Sequence, residues 1–335
     1  MKKAMLSESL EQRQLRCRLC AHACRLKPDQ TGICGVRQNI EGELYTLTYD
    51  RVAALHTDPI EKKPLYHFLP GSPSFSLGTM GCNFSCSFCQ NHTLSCIETP
   101  EQITGESIPP RRLVAMAERA GCRSIAYTYS EPTIFFELML DTARIARDAG
   151  LKNVMVTNGY MSATALEALQ PYLDGANVDL KAFTDEFYRT QCGARLQPVL
   201  DTIERMKAAG IWIEVTTLLI PGLNTDEEAL GNLIEFIRGI DPEIPWHVSR
   251  FFPTHRLTDR PATPEDMIFH ALSLGRTAGL KYVYGGNLSS TGWSHTDCPA
   301  CGQRLIQRNG YSTRIIGLEN GRCAHCSAPL AGIWD

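Results

Sequence analysis

The sequence predicts an α/β protein built round a partial barrel of six βα units, with a small cysteine-rich unit at each end. Three observations predict it. Between about residues 74 and 290, short β-rich runs alternate with longer helical patterns, which favours a parallel sheet with crossover helices. The helical patterns carry apolar residues at three- and four-residue spacing and stop at glycine, as PTIFFELMLDTARIARDAG does at Gly150. Eleven of the 14 cysteines fall into three compact groups, two of them outside the alternating region.

Residues 1–50 lack the alternation and carry the first group, Cys17, Cys20, Cys24 and Cys34. Residues 51–73, with Pro59, Pro64, Pro70, Gly71 and Pro73, read as an extended lead-in rather than a helix. The core unit, 74–290, contains the runs SFSLGT (74–79), RSIAYT (123–128), KNVMVT (152–157), ANVDLK (176–181), IWIEVTTLL (211–219), WHVSRFF (246–252) and KYVYG (281–285), each expected as a strand. In such a barrel the chemistry lies in loops after the strands' C-terminal ends. Residues 291–335 form the last unit.

A chain of 335 residues at 43% hydrophobic and 21% charged can bury one full core plus small attached units. A net charge of -3 gives no overall electrostatic reason to bind nucleic acid. No signal peptide or run of 18 apolar residues is present, so a cytoplasmic protein with no membrane partner is expected, and its cysteines read as metal ligands rather than disulfides.

GCNFSCSFCQN (81–91) follows a predicted strand and sets Cys82, Cys86 and Cys89 at C-x3-C-x2-C. Three thiolates would hold three irons of a 4Fe-4S cube and leave the fourth open; a zinc ion with a distant fourth ligand such as His92 is the alternative. The motif, with Phe88 before its last cysteine, resembles the signature of radical S-adenosylmethionine enzymes. That resemblance implies reductive cleavage of S-adenosylmethionine to a 5′-deoxyadenosyl radical that abstracts hydrogen from a substrate. It also implies an electron donor such as flavodoxin or ferredoxin.

YTYSEPT (127–133) stands where the family often has Gly-Gly-Glu-Pro, so the resemblance puts Glu131 on the methionine amino group, with Tyr129 and Ser130 replacing the glycines. As a residue alone, Glu131 also suits the start of a helix at Pro132. TNG (157–159), DLK (179–181) and PGLN (221–224) resemble segments of glycyl-radical-enzyme activases. They implicate Thr157, Asn158, Asp179 and Lys181 in cofactor binding, although Val156 stands where those activases carry an aspartate. The stretch RFFPTH (250–255) makes His255 a candidate ribose contact.

CPACG and CAHC place Cys298, Cys301, Cys323 and Cys326 at zinc-ribbon spacing. A unit that small has too little core to fold without its metal. The N-terminal C-x2-C-x3-C-x9-C suits zinc, with His22 as an alternative ligand, or an auxiliary Fe-S cluster. Cys96, Cys122 and Cys192 read as small buried hydrophobes. The ensemble of LCAHAC, radical core, ribbon and terminal GIWD resembles the radical enzyme of the AmmeMemoRadiSam system, which implies Memo-like and AMMECR1-like partner proteins. A glycyl-radical-enzyme activase, and a non-catalytic metal-bearing docking or nucleic-acid-binding protein, are the competing readings.

Overall fold

The computed structural model describes residues 1–289 and 291–335; the expected boundary at Ser290 lies outside them. One eight-stranded sheet dominates. Its strands, in chain order, are β1 Ala54–Pro59, β2 Pro73–Gly78, β3 Ser124–Tyr127, β4 Lys152–Thr157, β5 Gly175–Asp179, β6 Trp212–Leu219, β7 Trp246–Arg250 and β8 Val283–Gly286. Strands β2 to β8 are parallel and adjacent in chain order; β1 pairs antiparallel with β2, and β1 and β8 do not meet. The sheet is therefore an open barrel, and all seven expected strands are present. The crossovers carry helices α1 Pro110–Arg119, α2 Phe136–Asp148, α3 Ala163–Leu169, α4 Gln197–Ala208, α5 Glu227–Ile240 and α6 Glu265–Thr277. Among the described residues no helix is long and apolar enough to cross a membrane.

The lead-in departs from expectation in an instructive way. Its first part is β1, and the rest turns into the barrel lumen, where Ile60, Leu65, Phe68 and Leu69 pack on Ala126 and Val154. Because side chains alternate along a strand, residues two apart face the same side at different depths. The lower inward tier, Ala126, Val154, Asn177, Glu214, His247 and Tyr284, meets the lead-in. The next residues along, Thr128, Val156, Asp179, Thr216 and Ser249, line an upper cavity. The lead-in is thus a floor that lifts the cavity to the strands' C-terminal ends.

Glu214 ties that floor down. Its buried carboxylate accepts from the backbone N–H of Tyr66 (2.9 Å) and His67 (2.7 Å), from Trp212 Nε1 (3.1 Å), and pairs with His247 Nε2 (2.6 Å). The C-terminal unit closes over the same segment. Arg308, fully buried, donates to the Tyr66 carbonyl (2.6 Å), lies 4.3 Å from the Tyr66 ring and 3.8 Å from Glu61. The Ala331 carbonyl pairs with His67 Nδ1 (2.7 Å), and Phe68 bridges to Ile333.

Candidate radical and metal centres

The loop after β2 is held from outside rather than by its own turns. Ser85 and Ser87 donate their N–H to the carbonyls of Cys192 and Gln191, both at 2.9 Å, and Arg256 donates to the Ser85 and Ser87 carbonyls at 2.9 and 3.0 Å. Phe88 packs on Phe187, ring centroids 5.8 Å apart. At the loop's start Gly81 sits at φ +100°, and a Cβ there would lie 2.7 Å from Val36 Cγ1 and 2.9 Å from the Cys34 carbonyl. Gly81→Ala is accordingly expected to displace the loop at a cost of about 1–3 kcal/mol and to lower iron retained by the purified protein.

Cys82, Cys86 and Cys89 line one cavity of ≈ 370 Å³ together with Phe88, Glu131, Thr157, Asn158, Asp179 and Lys181. Eight of the loop and strand-end candidates from sequence and Phe88 thus converge on one space. Burial pushes the Cys82 and Cys89 thiols up. Cys86 is held below the ordinary thiol value by a hydrogen bond from Cys192, with burial opposing and Lys181 assisting. Cys192, read from sequence as an inert hydrophobe, is indeed fully buried but stands beside a candidate iron ligand.

The donor set fits a cube better than a single ion. Among the described residues, the one group with three or more ligand atoms all within 4.8 Å is Cys298, Cys301, Cys323 and Cys326. A tetrahedral zinc with bonds of about 2.3 Å spaces its sulfurs by about 3.8 Å. In the C-terminal group Cys298–Cys326 and Cys301–Cys323 each stand 3.7 Å apart, so this group could hold a metal ion. Cys82, Cys86 and Cys89 are not gathered within 4.8 Å of one another, so they are not set for one tetrahedral ion. Among the described residues the buried Ser130 Oγ, Thr216 Oγ1 and Asn83 Nδ2 lack partners, and Ser130 and Thr216 line the cavity, which suits a polar occupant.

Glu131 bears out its reading as a helix-start residue and also lines the cavity. It caps the turn at Pro132 by accepting from Thr133 N (3.0 Å) and Thr133 Oγ1 (2.5 Å), and Thr157 Oγ1 reaches the same oxygen at 2.7 Å. Among the described residues Oε2 accepts from Asn158 N alone (2.8 Å), which leaves it acceptor capacity toward the cavity. Burial raises the Glu131 pKa against these donors. Asn158 Nδ2 bonds Asn83 Oδ1 at 2.8 Å, coupling the TNG turn to the cysteine loop.

Tyr129 adopts φ +68°, the left-handed backbone its glycine counterpart would reach without strain. Its side chain is drawn away, the hydroxyl donating to Asp58 at 2.6 Å beneath Lys63, 4.7 Å from the ring. Asp179 and Lys181 form an ion pair at 2.8 Å, and Asn224 of PGLN donates to the Lys181 carbonyl at 2.6 Å. Neighbouring Asp179 and Cys86 raise the Lys181 pKa well above its usual value although burial alone would lower it.

His255 is not among the cavity's lining residues; it stacks on His92 at 4.6 Å with Cys96 Sγ 3.9 Å from its Nε2. Tyr311, which no sequence signal singled out, does line the cavity. It forms with Gly310 the two-residue turn of the C-terminal hairpin Arg304–Asn309 and Ser312–Ile315, and remains 57% exposed.

An open parallel barrel with three thiols above its strand ends defines the α/β fold class. Residues 77–236 match the sequence profile of the radical SAM superfamily, so the core of the chain is a radical SAM domain. The chain is 43% identical, over 98% of its length and 99% of the relative's, to an uncharacterized protein of Methanocaldococcus jannaschii. A putative glycyl-radical enzyme activating enzyme of the same organism is 25% identical over 63% of this chain and 79% of its own. Among solved structures, Streptococcus suis SuiB bound to S-adenosylmethionine superposes with a TM-score of 0.51 at 15% identity, covering 69% of this chain and 53% of that one, a likeness of fold.

Proposed function

We propose that this chain is the radical S-adenosylmethionine enzyme of the AmmeMemoRadiSam system, acting in the cytoplasm. Cys82, Cys86 and Cys89 hold the 4Fe-4S cluster, which when bound supplies the electron that splits S-adenosylmethionine into methionine and a 5′-deoxyadenosyl radical. The observation that carries this reading is their convergence with Glu131, Asn158, Asp179 and Lys181 on one cavity at the strands' C-terminal ends. Glu131 Oε2 accepts from the methionine amino group. Lys181, paired with Asp179, balances carboxylate charge, and the opened backbone at Tyr129–Ser130 lets the cofactor approach. His255 is kept as a candidate ribose contact.

The 3.7 Å sulfur spacings support zinc in the C-terminal ribbon. A full-length relative at 43% identity supports the reading that both cysteine-rich ends belong to the same protein as the radical core. The electron donor is of the flavodoxin or ferredoxin class, and Memo-like and AMMECR1-like proteins are the partners. The relation to a putative activating enzyme favours one second reading, installation of a glycyl radical on a partner protein. Anaerobically purified protein, reduced with dithionite and supplied with S-adenosylmethionine, is expected to form 5′-deoxyadenosine. Zinc at the radical loop with no 5′-deoxyadenosine would reject both readings.

A further inference from the structure

The four N-terminal cysteines sit on two turns that face each other. Cys17, Cys20 and Cys24 belong to a hairpin in which Cys17 N donates to the Cys24 carbonyl (2.9 Å) and Ala23 N to the Cys20 carbonyl (3.1 Å). Cys34 lies in the second turn, closed by Gly35 N to the Gly32 carbonyl (2.9 Å), and a Cβ on Gly32 would stand 3.7 Å from Cys24 Sγ. Cys17 and Cys24 are each within electrostatic reach of Cys20 and Cys34. Yet no three of these thiols gather within 4.8 Å of one another.

The chain contains its own two references for this spacing. Cys298, Cys301, Cys323 and Cys326 are drawn together at the separation of a single tetrahedral ion, whereas Cys82, Cys86 and Cys89 are not gathered within 4.8 Å of one another. The N-terminal group shares that wider setting. His22, the alternative single-ion ligand, is engaged elsewhere: its Nε2 pairs with the Asn83 carbonyl at 2.7 Å and its ring packs on Tyr160 at 4.8 Å.

A second, independent feature points to an acceptor-rich occupant. Arg37 is 1% exposed and is fixed by two bonds to the Glu137 carboxylate, 2.9 and 3.1 Å, and by one to the Met5 carbonyl, 2.7 Å. Its third donor nitrogen, Nε, is buried without a partner among the described residues, and the guanidinium lies within electrostatic reach of Cys17 and Cys34. A buried N–H without a partner is costly, and inorganic sulfide and thiolate sulfur are the acceptors such a group meets at an iron-sulfur centre.

We propose that Cys17, Cys20, Cys24 and Cys34 bind a second, polynuclear iron-sulfur centre rather than a zinc ion. The site docks directly on the radical loop. Cys34 O and Val36 abut Gly81, His22 binds the Asn83 backbone, and Ala21 N donates to the Tyr160 carbonyl at 3.0 Å just beyond the TNG turn. A centre there can take one electron from a flavodoxin- or ferredoxin-class donor and give one up to the radical-loop cluster, with no proton or bond change. That role, unlike the site itself, rests on the function proposed above.

The test is metal and sulfide analysis of the anaerobically reconstituted full chain, with EPR after dithionite reduction. Wild type is expected to hold about eight irons and one zinc per chain. The triple variant Cys82→Ala, Cys86→Ala, Cys89→Ala should keep about four irons and a reduced-cluster EPR signal that does not respond to S-adenosylmethionine. The double variant Cys20→Ala, Cys34→Ala should lose that signal and keep the responsive one. About four irons and two zincs in the wild type, with every iron lost in the triple variant, would overturn the proposal while leaving the radical reading intact. Iron retained in the triple variant, from a wild type that forms no 5′-deoxyadenosine, would sustain the site and reject the radical reading instead. Should the triple variant not fold, the wild-type ratio of iron to zinc decides.

Discussion

Cys86→Ala is expected to lose the radical-loop iron and with it all measurable 5′-deoxyadenosine formation. The loss should exceed the roughly 10–100-fold that changes to outer-sphere partners produce, because a ligand is removed rather than reoriented. Cys86 stands in the middle of the motif and lines the cavity beside Asp179 and Lys181. Glu131→Gln is the informative companion. The amide keeps one oxygen but faces donors at Thr133, Thr157 and Asn158 that expect a carboxylate, so S-adenosylmethionine binding should weaken while the iron stays. Equilibrium binding of S-adenosylmethionine to the iron-loaded variant checks this. Retained cleavage by Cys86→Ala would refute the assignment of the cluster.

Glu214→Leu is expected to destabilise the fold by about 3–5 kcal/mol, read as a lowered denaturation midpoint. The substitution removes the acceptor from the backbone N–H groups of Tyr66 and His67 in the lead-in, from the Trp212 indole and from His247, so it unfastens the floor from the barrel. The same network predicts a pH dependence. Burial lowers the His67 pKa to about 4, so between that value and the ordinary histidine value the unfolded chain binds a proton that the folded chain refuses. Stability should therefore fall as pH drops from about 6.5 to about 4. Glu214 adds to the loss below the ordinary carboxylate range. Burial raises its pKa, but the pairing with His247 and the backbone donors outweigh it and hold it low, so its contribution is present above that range and disappears as the group protonates. Melting midpoints across this range, compared between wild type and Glu214→Leu, measure both terms.

The parallel sheet was legible because each strand and its crossover helix carry their own periodicity, and the loop candidates were legible because they stand directly after strands. Glu131, Asn158, Asp179 and Lys181 are local signals of that kind, and they do line one cavity. What could not be read depends on contacts between distant segments. The prolines of the lead-in said nothing of β1, whose pairing with β2 depends on partners 14 to 24 residues away, nor of the 3-10 turn at Ile60–Lys62. They were equally silent on the lumen. Tyr129 looked like a departure from a glycine pattern; only the Asp58 hydroxyl bond shows how a tyrosine is held in that backbone. Cys192 and Tyr311 reach the site through folding alone, one beside Cys86 and the other from the hairpin of the C-terminal unit.

The floor of the barrel and its fastening stand far apart along the chain, His67 to Ala331 by 264 positions and Tyr66 to Arg308 by 242. At synthesis rates of about 5–20 residues per second, the floor leaves the ribosome some ten to fifty seconds before its fastening does. Through that interval Leu65 and Phe68, fully buried in the finished protein, have strands to pack on but no clamp across them. A nascent chain that ends before Ala331 therefore carries this apolar floor without its clamp, the kind of exposed surface that chaperones shield.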